Sequence, residues 1–245
     1  MPGLVPGICV FDIGRMTDDA DKRTGAFFGR RKGHPLRAKQ AALFDTLLPR
    51  LALDLAKPAP GDLRVLFDGV DDVRLESGFG GGEHLIAEAE RHPGTGFIGI
   101  EPFVNGMAKA LVAIDERKLR NIRLHHGDAT DMLAWLPDAG LARVDLLYPD
   151  PWPKRRHWKR RFVQDASVQQ IARSLRQGGE FRFASDIPDY VAWTLLRLMR
   201  SPDFDWTAEQ ADDWRLPWPG FTSTRYEAKA KREGRTPCYL IFRRR

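Results

Sequence analysis

Four carboxylates recur at an even spacing through the middle of this 245-residue chain: Glu76, Glu101, Asp128 and Asp150, in steps of 25, 27 and 22 residues. Each step is about one strand–helix unit. A parallel sheet would therefore set all four along one edge, at the carboxyl ends of its strands, where open α/β sheets keep their chemistry. Acidic residues in strand-to-helix loops also act as plain helix caps. Capping explains any one of the four, but explains the whole set poorly.

After the first carboxylate the chain reads Glu76-Ser-Gly78-Phe-Gly80-Gly-Gly82-Glu83. Glycines in such a turn let the backbone approach a ligand closely. A dinucleotide fingerprint would need its third glycine at Glu83. The carboxylates would also repel a pyrophosphate, which disfavours a nicotinamide-dependent dehydrogenase. A ligand with hydroxyls and a cation suits the acidic edge better. S-adenosylmethionine has a sulfonium, an ammonium, a ribose diol and an adenine amine. Gly78 and Gly80 would let it approach, Glu101 would accept from the ribose hydroxyls, and Asp128 would hold the adenine end.

The most distinctive segment is Tyr148-Pro-Asp150-Pro-Trp152-Pro-Lys154, which runs into a basic stretch. Prolines at 149, 151 and 153 fix the backbone and remove three donors. Such a loop can hold a carboxylate and an aromatic face beside a base. Trp152 can stack on a nucleobase, and Lys154 can grip phosphate. The plainer reading is a surface loop with a packed tryptophan. No His/Cys set has metal-ligand spacing, so no metal is expected. His125 and His126 read as structural, and His84 and His92 as helix surface.

The elements that would position these groups follow an alternating rhythm. Strands are predicted at 73–76, 96–101, 121–125, 143–148 and 179–184. Helices are predicted through 87–90, over 104–115, near 132–135, over 162–175 and through 190–199. An amphipathic helix over 36–55 precedes them, with Leu43, Phe44, Leu47, Leu48, Leu51 and Leu55 at helical spacing. Two further strand candidates lie near 221–226 and 238–243. Alternation of this kind means a mostly parallel central sheet with helices on both faces, a Rossmann-like α/β fold. Residues 36–245 form one domain, and residues 1–35 read as a basic, flexible arm.

Composition is ordinary for a globular chain, 42% hydrophobic and 29% charged, with a net charge of +6. Residues 154–161 hold six cations in eight positions. Further groups sit at Arg30, Arg31, Lys32, Arg37 and Lys39, and at Lys229, Lys231, Arg232 and Arg235. Three such clusters suit a polyanion better than a small metabolite. No stretch reaches the ~20 apolar residues of a membrane span, and the start lacks the basic region of a secretory signal. Cys9 and Cys238 are the only cysteines, which is no disulfide framework. A cytoplasmic protein with no membrane partner and no evident obligatory protein partner is expected.

Glu76–Gly82, Gly99-Ile-Glu101, Gly127-Asp128, Pro149-Asp-Pro-Trp-Pro-Lys154 with Arg156-His157-x-Lys159-Arg160-Arg161, and Thr224-x-Tyr226-Glu227 stand in this order. In them the chain resembles the bacterial tRNA (guanine-N7)-methyltransferase family over roughly residues 25 to 245. The Pro-Asp-Pro-Trp segment with its basic tail is specific to that family, whereas the glycine loop is shared by most methyltransferases. The resemblance implies an S-adenosylmethionine-dependent methyltransferase fold and a guanine in the tRNA variable loop as target. It implies cofactor contacts from Glu76, Glu101, Asp128 and Asp150, and substrate contacts from Lys154, Asp186, Thr224, Arg225, Tyr226 and Glu227. Ser77 departs from an expected apolar residue, and Tyr148 from an expected phenylalanine.

The chemistry is consistent with this. Guanine N7 has a lone pair and no proton, so its methylation needs positioning and nearby negative charge rather than a general base. Asp150 is the expected catalytic carboxylate. Two alternatives stand beside this reading: an RNA or DNA exocyclic-amine methyltransferase, and a non-catalytic RNA-binding protein on the same scaffold. The second would tolerate loss of the cofactor carboxylates, and all four are present.

Overall fold

A computed structural model describes residues 28, 29 and 31–245. Most of the predicted N-terminal arm, with Cys9 and Arg30, lies outside the described residues. In chain order the elements are α1 (Ala38–Thr46), α2 (Leu48–Leu51), β1 (Asp72–Ser77), α3 (Glu83–Arg91), β2 (Thr95–Ile100), α4 (Val104–Arg117), β3 (Ile122–His125), α5 (Ala129–Trp135), β4 (Leu141–Leu147), α6 (Asp165–Ser174), β5 (Leu175–Ser185), α7 (Pro188–Arg200), β6 (Phe204–Trp206), α8 (Asp212–Arg215), α9 (Arg225–Arg232) and β7 (Cys238–Arg244). Short 3₁₀ helices cover Leu63–Leu66 and Arg155–Arg160.

The seven strands form one sheet in the order β3-β2-β1-β4-β5-β7-β6. β1 to β5 run parallel, and β7 is antiparallel to both β5 and β6. The strand order reverses between β1 and β4, so the crevice above their carboxyl ends is where such a sheet takes a ligand. β2 is buried at every residue, as a strand covered on both faces must be. Its side chains alternate: Ile98 and Ile100 enter the core under α5, α6 and α7, and Phe97 enters the core under α3 and α4. On α4, Met107, Ala110, Leu111 and Ile114 are fully or almost fully buried. Their spacing of three and four lays one stripe on the sheet, and each large apolar side chain removed from water stabilises the fold by roughly 1.5–3 kcal/mol.

Three sequence expectations change. The helix over 36–55 is two pieces, because Pro49 cannot donate a backbone hydrogen bond and sits in the first turn of α2 instead. Beyond α2, Leu53 N–H bonds to the Leu124 carbonyl of β3 at 3.0 Å. The segment near 221–226 is no strand: Thr224 caps α9 by accepting from Glu227 N–H at 3.2 Å. Residues 31–34, read as part of a flexible arm, are laced to the head of α4. Val104 N–H bonds to Arg31 O, Gly33 N–H to Asn105 Oδ1, and Asn105 Nδ2 to His34 O.

Candidate active site

The carboxyl ends of β1, β2 and β4, with the loop after β3, open onto a cleft of about 1960 Å³. Gly78, Gly80, Glu101, Asp128, Asp150 and Trp152 line it, together with Arg225 and Tyr226. Glu76, Lys154, Asp186, Thr224 and Glu227 are not on its wall.

The glycine loop is shaped by two close approaches. Gly78 and Gly80 have φ of +70° and +59°, which L side chains rarely adopt. A Cβ on Gly78 would meet nothing within 4 Å, so any side chain there would project into the cleft. Behind the loop, a Cβ on Gly106 of α4 would lie 2.3 Å from the Gly80 carbonyl. Gly106 therefore lets α4 press against the loop, a role no pattern in the sequence signals.

Glu101 is buried at the floor. One carboxylate oxygen accepts from Gly80 N–H at 2.6 Å and the other from Phe103 N–H at 2.8 Å. Burial outweighs these bonds and raises its carboxyl to about 7. Asp128 combines both roles weighed for it. Its Oδ1 caps α5, accepting from Thr130 N–H at 2.9 Å and Thr130 Oγ1 at 2.8 Å, while the residue also lines the cleft.

Asp150 is exposed at the mouth of the cleft, where desolvation by the walls raises its carboxyl above the ordinary range. Its loop begins and ends in strain: Tyr148 and Trp152 adopt left-handed φ of +51° and +41°. Such conformations persist only where surroundings enforce them, and they gather at functional sites. Tyr148 N–H is tied to Ala184 O at 2.7 Å. The Arg160 guanidinium lies over both the Trp152 ring (4.9 Å) and the Phe28 ring (5.1 Å), and His157 meets Trp152 edge-on at 5.8 Å.

Glu76 points beneath the cleft floor, where it bonds His84 Nδ1 at 2.8 Å. His84, read as helix surface from sequence, is 1% exposed. Burial opposes its charge, yet the Glu76 carboxylate wins and raises its pKa. Of the remaining residues singled out, Lys154 is exposed at the start of the second 3₁₀ helix. Asp186 is paired with Arg235 Nε at 2.5 Å. Glu227 is 1% exposed and accepts from Tyr239 OH and Lys231 Nζ, each at 2.5 Å. Burial alone would raise Glu227; the hydrogen bonds, Lys231 foremost, hold it low. Arg225 and Tyr226 lean over the glycine loop, with Tyr226 Cε2 3.1 Å from where a Gly80 Cβ would stand.

The fold and this cleft define an S-adenosylmethionine-dependent methyltransferase. In fold the chain is like the 16S rRNA methyltransferase KamB (TM-score 0.50, 16% identity, 77% of this chain and 95% of that one). It is equally like TrmN from Thermus thermophilus (TM-score 0.51, 16% identity, 84% of this chain and 48% of that one). Residues 71–240 match a family model described as "Putative methyltransferase". Proteins named tRNA (guanine-N(7)-)-methyltransferase are far closer in sequence. One from Rhodopseudomonas palustris is 66% identical over 93% of this chain and 91% of its own length. One from Bradyrhizobium diazoefficiens is 63% identical over 92% and 96%, and one from Nitrobacter winogradskyi 60% identical over 98% and 93%. The chain belongs to the tRNA (guanine-N(7)-)-methyltransferase family.

Proposed function

We propose that this chain transfers a methyl group from S-adenosylmethionine to N7 of a guanine in the variable loop of tRNA, in the cytoplasm. The observation that carries the site assignment is the convergence of Glu101, Asp128 and Asp150 on one cleft beside Trp152. The donor set fits the cofactor: a buried carboxylate over a glycine floor suits a ribose diol, and a half-capped aspartate suits an adenine amine. When bound, the cofactor supplies an electrophilic methyl on a sulfonium. Gly78 and Gly80 give it room, Glu101 accepts from its ribose hydroxyls, Asp128 holds the adenine end, and Glu76 with His84 supports the floor from below.

Trp152 presents a ring for the guanine, and Arg225 and Tyr226 close over the glycine loop. Lys154 and Asp186 serve the substrate from the rim, and the buried Thr224 and Glu227 serve it by fixing the start of α9. No base is needed at N7. Positive charge moves onto the purine as the methyl arrives, so the Asp150 carboxylate, held by prolines on both sides, stabilises the transition state more than the ground state. Desolvation raises the Asp150 carboxyl, so on acidification this charge is lost at a higher pH than that of an ordinary aspartate.

Asp150→Asn keeps shape and removes charge. Single-turnover methylation of tRNA, with cofactor and tRNA both saturating, is expected to slow by about 10²–10³. A rate within a few-fold of the parent would show that Asp150 only shapes the loop.

A further inference from the structure

Arg161 ends the basic run, yet its side chain is 0% exposed. Three rings surround its guanidinium, with centroids at 5.0 Å for Trp158, 5.0 Å for Tyr190 and 4.9 Å for Trp193. Nε donates to the Pro151 carbonyl at 2.9 Å, and Nη2 donates to Asp189 on the first turn of α7. Nη1 has no acceptor among the described residues. Burying a guanidinium is unfavourable unless its geometry is well satisfied, and an exposed arginine would serve phosphate binding better. This cation is spent inward, on a loop carbonyl one residue past Asp150.

The loop has few other handles. Its three prolines offer no N–H, so alternate residues of the loop can be fastened only through carbonyls or side chains. Tyr148 and Trp152 hold strained φ at its two ends, and strain relaxes unless something opposes it. The base of the pin is rigid: Trp193 Nε1 donates to Val163 O at 2.6 Å, and Val163 N–H donates to Tyr190 OH at 3.2 Å. Residues 161–163 are thereby zipped to α7.

We infer that Arg161 is a positioning residue for methyl transfer: its buried guanidinium holds the Pro151 carbonyl against the start of α7 and so fixes the Asp150 carboxylate in the cleft. This rests on the reading of Asp150 given above. Misplacing a catalytic group by about 1 Å can cost ~10²-fold in rate, so loss of the pin acts on turnover rather than on binding.

Arg161→Met tests this cleanly. Methionine fits an aromatic box, and Asp189 is 49% exposed, so water takes up the released carboxylate. Removing one partner of an ion pair is costly chiefly when the other is left as a buried charge, which the exposed Asp189 is not. The variant is expected to keep its melting temperature and its affinity for S-adenosylhomocysteine, and to lose about 10–100-fold in single-turnover rate. The same substitution made on Asp150→Asn is expected to lose less than about threefold further, because a pin has no effect once the charge it positions is gone. Equal losses in both backgrounds, or none in the parent, would overturn the inference. If Asp150→Asn alone leaves the rate intact, the reading of Asp150 fails first and the role of Arg161 falls with it. Should Arg161→Met not fold, Asp189→Asn, which loosens the far end of the pin at the surface, is run through the same cycle. It is expected to give a smaller loss, about 3–10-fold, that again vanishes with Asp150→Asn.

Discussion

At the scale of single residues, the acidic site works by giving each carboxylate a different environment. Glu76 is hydrogen-bonded to His84 below the floor, Asp128 is half engaged as a cap, and Asp150 stands exposed at the mouth. Glu101 is the one whose charge state is poised near neutrality, with its carboxyl raised to about 7 by burial. A ribose diol needs an acceptor, so the proposed contact favours the ionised form. The ionised fraction rises with pH through 7; affinity is therefore full above that value and falls as pH drops below it. Binding of S-adenosylhomocysteine, followed by calorimetry, is expected to weaken about tenfold from pH 8 to pH 6. Glu101→Gln should bind more weakly at pH 8 and lose the pH dependence. An unchanged affinity in that variant would remove Glu101 from the cofactor site.

At the scale of elements, much of this architecture is legible in the sequence, for physical reasons. The five parallel strands announce themselves as apolar runs at regular spacing, each followed by a helical stripe, and their carboxylates mark the sheet edge. The failures have equally plain causes. β6 is three residues long and is defined only by its pairing with β7. The helix over 36–55 keeps its apolar stripe across Pro49 because the stripe serves the same core in two pieces. In Thr224-Arg-Tyr-Glu227 the threonine and the glutamate three residues on are a helix-start signal, which the preceding Phe221-Thr222 and the nearby Tyr226 disguise as a strand. Among the site residues, His84 and Gly106 lie in helices where nothing local marks them. One is set by its register against β1, the other by its approach to a loop carbonyl. Arg161 is of the same type as its neighbours in the run, and only the third dimension turns it inward.

At the scale of the whole molecule, the three basic clusters divide their labour. Lys231 and Arg235 in the last cluster pair with Glu227, Asp186 and Glu233, and Arg161 is buried. Lys154, Arg155 and Arg156 remain exposed beside the cleft and are placed for phosphate, as are the exposed Arg31, Lys32 and Arg37 of the first cluster. Each lost phosphate contact lowers the slope of log affinity against log salt by about 0.7–0.9. Arg155→Ala with Arg156→Ala is therefore expected to flatten the slope for tRNA by about 1.5, measured by filter binding across a salt series; an unaltered slope would make these arginines a solvated face. Among the described residues no helix is long and apolar enough to cross a membrane. The central question is which atom receives the methyl. tRNA incubated with the chain and methyl-labelled S-adenosylmethionine, digested to nucleosides and resolved by liquid chromatography against authentic methylguanosine and methyladenosine standards, answers it directly. The label is expected in N7-methylguanosine, mapping to the variable loop. Label in an exocyclic amine, as N2-methylguanosine or N6-methyladenosine, or no label at all, would contradict it.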